Sequence, residues 1–237
     1  MITITVGIGE NKNILNAVEI FKSQKEDIEI KPVSSDDELV EAILNDDVDS
    51  VIRGSLPASS VMKQLKTKFN DISRATYVKG EYEFLLTPVG IDEGDTIEEK
   101  LKIATNCAEF LKKLSKIPKI AILADGRKGD YGRSEEISLS IDESEKLTRL
   151  IEQNTDYNVK NYYILIEQAI NDGCNIIIAP NGIIGNIIFR TLVLLNSWPS
   201  YGAVTFGVDG IYIDTSRDQT TEGYLRSLNL AYNLAKL

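Results

Sequence analysis

NIIIAPNGIIGNIIFRTLVLLN (residues 175–196), followed by AVTFGVDG (203–210) and IYIDTSRD (211–218), is the stretch on which the fold turns. A short isoleucine-rich run bounded by Asn and Pro reads as a strand buried on both faces. The Gly185-Asn186 pair then opens a helix, and two further short strands follow. In an α/β sheet such a turn sits at the carboxyl end of a strand, where ligands bind. A helix N-terminus there offers unpaired main-chain N–H groups and about half a positive charge. The expected ligand is an anion, a phosphate first of all.

The same strand–turn–helix unit recurs on both sides of this stretch. Ile2–Ile8 alternates as a strand and ends in GIGEN (7–11) before the helical LNAVEIFKS (15–23). Its glycines do not have the GxGxxG spacing of a dinucleotide fingerprint. IEIKPV (28–33) is a strand, and SDDELVEAILND (35–46) a helix with Ser35 or Asp36 as N-cap. DSVIRGSLPASS (49–60) repeats the pattern, with Ser59 or Ser60 as a cap. YEFLLTPV (82–89) and KIAILA (119–124) are further strands, separated by a helix that starts at Asp95 or Thr96 and runs to Lys116. In that helix Ile97, Leu101, Ala104, Ala108 and Leu111 form an apolar stripe at helical spacing. ESEKLTRLIEQ (143–153) is a helix, VKNYYILIEQAINDG (159–173) leads back to the central stretch, and TTEGYLRSLNLAYNLAKL (220–237) is the terminal helix. Alternation of this kind specifies an α/β fold with largely parallel sheets. We expect two lobes, 1–94 with 219–237 and 95–218, the second carrying most of an anion site.

Composition narrows the chemistry. Among 237 residues there is no histidine, which removes Ser-His and Cys-His nucleophile pairs and imidazole acid–base schemes. Catalysis would fall to carboxylates, Lys, Arg, Ser, Tyr and backbone dipoles. Cys107 and Cys174 stand far apart without CxxC spacing and read as small buried hydrophobes. A formal charge of −10 opposes a nucleic-acid partner, since a phosphate backbone demands a basic face. No apolar run reaches the ~18 residues of a membrane span, and the opening MITITVGIGENKN lacks a signal-peptide layout. The reading is therefore cytoplasmic.

Two loops concentrate candidate anion-binding groups. Arg53-Gly54-Ser55 ends a strand with a cation, a glycine and a hydroxyl; an ordinary βα turn accounts for the same residues. DGRKGDYGRSEE (125–136) is denser, with three glycines and the cations Arg127, Lys128 and Arg133 directly after a strand. Glycine lets a backbone approach phosphate oxygens, and arginine supplies bidentate hydrogen bonds. A solvated loop whose cations pair with Glu135 and Glu136 fits equally well, and the Walker A pattern GxxxxGK[ST] is absent.

NIIIAPNGIIGNIIFR resembles the phosphate acetyl- and butyryltransferases: an apolar strand, a proline, Gly-Asn-Ile, then an aromatic-basic pair. IYIDTSRD resembles that family's Asp-Leu-Ser-Arg element, and a terminal helix of the same type follows. GENKNILNAVEIF and SVIRGSLPASSVMKQL resemble the family's opening unit and its Gly-Ala-x-x-Ser/Thr region. IAILADGRKGD lies where the family has a serine/threonine- and lysine-containing loop. The superfamily includes acyl-phosphate synthases and shares its fold with isocitrate and isopropylmalate dehydrogenases. Within it, the short chain and the DGRKGDYGRS loop look most like the methanogen methyltransferase subunit X group, the methanogenesis marker proteins.

The resemblance implies an archaeal transferase with two α/β lobes and an active cleft between them, often homodimeric. It implies coenzyme A or phosphate as ligand and a methyltransferase as possible partner. Ser216 and Arg217 match the serine and arginine placed at the reacting phosphate and thioester. Gly185 and Asn186 match the Gly-Asn helix start, and Arg190 a basic position. Leu194 stands where a second arginine is expected, and Gly223, beside Glu222, where the family carries an aspartate base. Losing both would cost orders of magnitude in rate. A non-catalytic, ligand-binding accessory subunit is therefore the alternative. A nicotinamide-dependent dehydrogenase is a third reading, opposed by the missing nucleotide glycines and metal-binding aspartate cluster.

Overall fold

The computed structural model describes residues 1–45 and 47–237, which form two compact α/β units. One joins Met1–Ile72 to Pro199–Leu237, and the other is Ser73–Trp198. The boundaries thus differ from the 94/95 and 218/219 breaks expected. At the first break, the strand Glu83–Thr87 pairs in parallel with the strand Ile176–Ile178, Leu85 opposite Ile176 and Thr87 opposite Ile178, so the segment from Ser73 onward belongs to the second unit's sheet. At the second break, the strands of 200–214 pair into the first unit's sheet.

The chain begins in the first unit with β1 (Ile2–Gly7), α1 (Asn13–Gln24), β2 (Ile28–Val33), α2 (Asp36–Leu44), β3 (Ser50–Ile52) and α3 (Ala58–Lys66). The second unit follows with β4 (Ser73–Lys79), β5 (Glu83–Thr87), α4 (Ile97–Lys113), β6 (Lys119–Leu123), α5 (Glu135–Asn154), β7 (Asn158–Tyr163), α6 (Ile166–Asn171), β8 (Ile176–Ile178) and α7 (Gly182–Phe189). A π-helical stretch, Arg190–Leu195, continues α7. The chain then returns to the first unit as β9 (Ser200–Phe206), β10 (Tyr212–Asp214) and α8 (Thr221–Leu234).

Strand order in the first unit is β2-β1-β3-β10-β9, parallel except for the antiparallel β10–β9 pair. In the second it is β4-β5-β8-β6-β7, parallel except for β4–β5. Crossovers that run in both directions along the strand order put helices on both faces of each sheet. In the second unit α4 and α5 cover one face, joined by Lys100 to Glu143 at 2.8 Å, and α6 and α7 the other. Ile176, Ile177, Leu85, Leu86 and Ile120 are fully buried, as two covered faces require. In the first unit α2 and α3 close over Val51 and Tyr212 through Leu39, Ile43, Val61 and Leu65, while α1 packs on α8.

Helix starts follow their chemistry. Ser35 with Glu38, and Thr96 with Glu99, form reciprocal capping boxes. α3 instead follows Pro57 with no side-chain cap, so neither Ser59 nor Ser60 serves. The helix expected over 35–46 ends at Leu44; its final position, Asp46, lies outside the described residues. The polar-flanked strand β4 has no counterpart in the sequence reading.

Candidate anion site

In the first unit, β1, β3 and β10 run parallel, so the turns GIGEN, RGS and TSR leave the sheet at one edge. The chain reverses direction between β1 and β3, the place where such sheets open a crevice. Here that crevice is closed by main chain. Gly54 adopts φ +61°, and a side chain on it would stand 1.9 Å from the Gly7 carbonyl oxygen. The Gly9 N–H donates to Ser55 Oγ at 2.8 Å, and Thr215 Oγ1 donates to the Gly54 carbonyl at 2.7 Å. The three turns are therefore laced together.

Arg53 takes part in this lacing. It is 4% exposed; its guanidinium pairs with Asp214 and donates to the carbonyls of Leu56 and Thr215. Ser55 is likewise buried and bonded to Gly9. The ligand contacts expected of Arg53 and Ser55 give way to internal partners, because burying a guanidinium requires a counter-charge and acceptors. Both residues shape the edge from below.

Above them, Tyr224 and Asn11 fix the next residues. The buried Tyr224 hydroxyl shares its single proton between the Arg217 carbonyl at 2.8 Å and the Ser216 carbonyl at 3.2 Å. Asn11 Nδ2 donates to the carbonyls of Arg217 at 2.9 Å and Gln219 at 3.0 Å. Burial raises the Tyr224 phenol to about 12, keeping it a neutral donor. The carbonyls of 215, 216, 217 and 219 are all held from within the unit. The outward groups are unengaged: Arg217 is exposed, and its guanidinium meets no partner among the described residues. Ser216 Oγ is half-buried and, among the described residues, accepts a long 3.4 Å bond from the Asp218 N–H. Asn11, Tyr224 and Arg53's supporting role escaped the sequence reading; a polar residue closing a glycine turn was the one available signal for Asn11.

The second unit is arranged differently. α7 starts at Gly182, not at Gly185-Asn186. Asn181 caps it by accepting from the Ile184 N–H at 2.9 Å, and the Gly185 N–H already donates to the Asn181 carbonyl at 3.0 Å. Side chains at Gly182 and Gly185 would stand 1.6 Å from the Gly90 oxygen and 1.9 Å from the Pro88 oxygen. Asn186 Nδ2 donates to the Val89 carbonyl at 2.9 Å. The main chain of the segment after β5 is thus packed directly against the first turn of α7. Gly185 and Asn186 dock the helix, and their N–H groups lie past its first turn. Arg190 follows the other end of α7, roughly 13 Å along the axis from Asn181, and is exposed.

The 125–136 loop leaves the carboxyl end of β6. Asp130 organises it, accepting from the Arg127 N–H at 2.8 Å and pairing with Arg133 at 2.8 Å. The Arg133 bond, followed by that from the Arg127 N–H, holds the Asp130 carboxyl below its ordinary range. Arg133 is thereby engaged and the exposed Arg127 acts electrostatically on the same carboxylate, whereas the exposed Lys128 side chain has no hydrogen-bond or ion-pair partner among the described residues. Cys107 and Cys174 are buried thiols, the former shifted upward by burial. No helix among the described residues is long and apolar enough to cross a membrane, and no group of three potential metal ligands occurs among them.

No family model matches the chain. It is 37% identical over 238 residues to an uncharacterized methyltransferase of Methanocaldococcus jannaschii, covering 96% of each. It is 38% identical over 184 residues to a Methanosarcina barkeri protein with the provisional name methyltransferase mtx subunit X, covering 76% of this chain and 67% of that one. A branched-chain phosphotransacylase from Enterococcus faecalis superposes with a TM-score of 0.79 at 19% identity, covering 99% of each chain. A β-decarboxylating dehydrogenase from Thermococcus kodakarensis gives 0.64 at 11% identity, over 100% of this chain and 84% of its own. The fold is thus shared with phosphotransacylases and the decarboxylating dehydrogenases, and the chain belongs to the methanogen family of methyltransferase-named proteins that includes mtx subunit X.

Proposed function

We propose that this chain is a transferase of methanogen metabolism that holds a phosphate-bearing small molecule, such as coenzyme A or an acyl phosphate, at Ser216 and Arg217. One observation carries the reading: the unengaged Arg217 guanidinium stands on a backbone whose carbonyls are already bonded to Tyr224 and Asn11. An arginine presented this way binds phosphate or carboxylate oxygens bidentately. It also stabilises negative charge that develops during group transfer, and Ser216 Oγ adds a donor. Arg127 and Lys128 are a separate cationic pair in the loop after β6 of the second unit. The relatives' names favour methyl transfer; acyl or phosphoryl transfer is what the family resemblance implies.

A second reading has its own support. By the resemblance, Leu194 and Gly223 stand where an arginine and a base are expected, and the Methanosarcina relative is named a subunit. On that reading the chain binds its ligand without turnover and serves a methyltransferase partner. Calorimetry with inorganic phosphate, acetyl phosphate and coenzyme A tests both. Wild type is expected to bind at least one, and Arg217→Ala, which alters an exposed side chain, to weaken that binding about tenfold or more. Unchanged affinity in the variant removes the site. Binding without turnover, with co-purification of a methyltransferase, selects the accessory subunit.

A further inference from the structure

In the second unit β6 and β8 are parallel neighbours, Ile122 opposite Ile178, yet the chain leaves β6 for α5 on one face and β8 for α7 on the other. Adjacent strands that part in this way open a crevice at their carboxyl ends. Here it is a cavity of about 10 Å³, lined by Leu123, Ala179 and Pro180 at the strand ends, Lys100 of α4, and Ser140 and Glu143 of α5. Lys100 is 4% exposed, and its ammonium donates to Glu143 Oε1 at 2.8 Å. An ammonium carries three N–H donors, and among the described residues Lys100 spends one of them. Ser140 holds the second unspent donor. Ser138, Ser144 and Thr148 of the same helix each donate to a main-chain carbonyl. Ser140 Oγ instead accepts from the Asp125 N–H at 3.0 Å, and its own proton has no acceptor among the described residues.

The ion pair is unequally buried: the Lys100 side chain is 5% exposed and that of Glu143 33%. A Glu143 carboxylate released from the pair passes into water at little cost. The ammonium cannot follow it, and a buried cation without an acceptor is strongly unfavourable. Glu143 thus stands as an internal model of the group that the crevice takes, and its departure leaves a carboxylate's volume beside Lys100 and Ser140. The cavity alone has room for about one water-sized group, so a planar carboxylate fits the vacated space and a tetrahedral phosphate overfills it. We propose that this crevice is a carboxylate-binding site, where the carboxylate of a small-molecule ligand replaces Glu143 on the Lys100 ammonium and accepts a hydrogen bond from the Ser140 hydroxyl. It shares no residue with the Ser216–Arg217 turn and stands independently of the anion site.

Titration of the full chain with acetate, followed by amide NMR, tests it. The reporter is the Asp125 N–H, which is bonded to Ser140. Acetate is expected to shift this resonance saturably, and inorganic phosphate at equal ionic strength to leave it in place. Glu143→Gln removes the internal competitor and should tighten acetate binding about tenfold. Lys100→Met should abolish the response, and Ser140→Ala should weaken it several-fold. Arg217→Ala should leave it at the wild-type value, so loss of the first unit's site and loss of this one are told apart. Should the buried Lys100→Met variant fail to fold, Glu143→Gln, altered at a partly exposed position, carries the test. A Glu143→Gln protein that binds acetate no more tightly than wild type overturns the proposal and leaves the pair as a clasp between α4 and α5. So does an Asp125 response that does not saturate, that phosphate reproduces with equal affinity, or that survives Lys100→Met in a folded protein.

Discussion

The carboxyl edges of the two units are built alike and finished differently. Each is a row of parallel strands ending in glycine-containing turns, and each receives the end of a helix. In the first unit the helix α8 brings Tyr224, whose hydroxyl holds two carbonyls and leaves Arg217 outward. In the second, α7 brings its own N-terminus, and the carbonyls of Pro88 and Gly90 approach it closely. One edge has its acceptors occupied and its donors available. At the other, main chain is packed against the first turn of the helix. A glycine-rich turn before a helix is thus insufficient evidence of an anion site; what already covers the turn and the helix start decides.

The sharpest way to break this contrast is Asp214→Ala. It leaves the Arg53 guanidinium buried without its counter-charge, at a cost of about 3–5 kcal/mol. Arg53 also holds the Thr215 carbonyl, so the Ser216–Arg217 turn should lose its shape and phosphate binding should vanish with it. Urea denaturation and calorimetry on the same samples measure both. A variant that keeps full stability and affinity would show that the lacing beneath the turn is dispensable.

Gly185→Ala should do the opposite. The added methyl meets main-chain oxygen of Pro88, so α7 must shift, costing about 1–3 kcal/mol. Phosphate affinity of the folded fraction should stay unchanged, since the second edge is assigned no ligand contact at α7. Loss of affinity without loss of stability would return the Gly185-Asn186 region to the site.

This pair of variants also shows what the sequence can and cannot convey. Strand–helix alternation and β-branched runs such as Ile176–Ile178 carry the architecture, because burial on both faces leaves a direct pattern. The position of Ser216-Arg217 at a strand end was legible for the same reason. The start of α7 was not: apart from Asn186, GIIGNIIF is apolar, so no amphipathic phase marks its first residue, and Asn181 looks like any loop asparagine until its acceptor role is seen. Nor could the chain alone reveal that Arg53 is buried. Its partner Asp214 lies far along the sequence, and a strand-end arginine reads the same whether it faces ligand or core. β4 escaped because Arg74 and Lys79 interrupt its ends, although Ala75, Tyr77 and Val78 are buried.

Tyr224→Phe isolates the subtlest part of the contrast. Removing one hydroxyl frees two carbonyls at the half-buried edge of the turn, where water can replace it in part, so the stability loss should be about 1 kcal/mol. The anion affinity should fall several-fold, because Arg217 then stands on a backbone free to sample other conformations. A pH series separates this from general weakening. Burial raises the folded phenol from 10.0 to about 12, so its contribution is complete below pH 10 and declines as pH climbs toward 12. Wild type should therefore lose stability over that window in excess of the Phe variant, and the two denaturation midpoints should converge as pH rises. Parallel curves would mean that the hydroxyl is solvated in the folded protein, and the first edge would then owe its outward arginine to Asn11 alone.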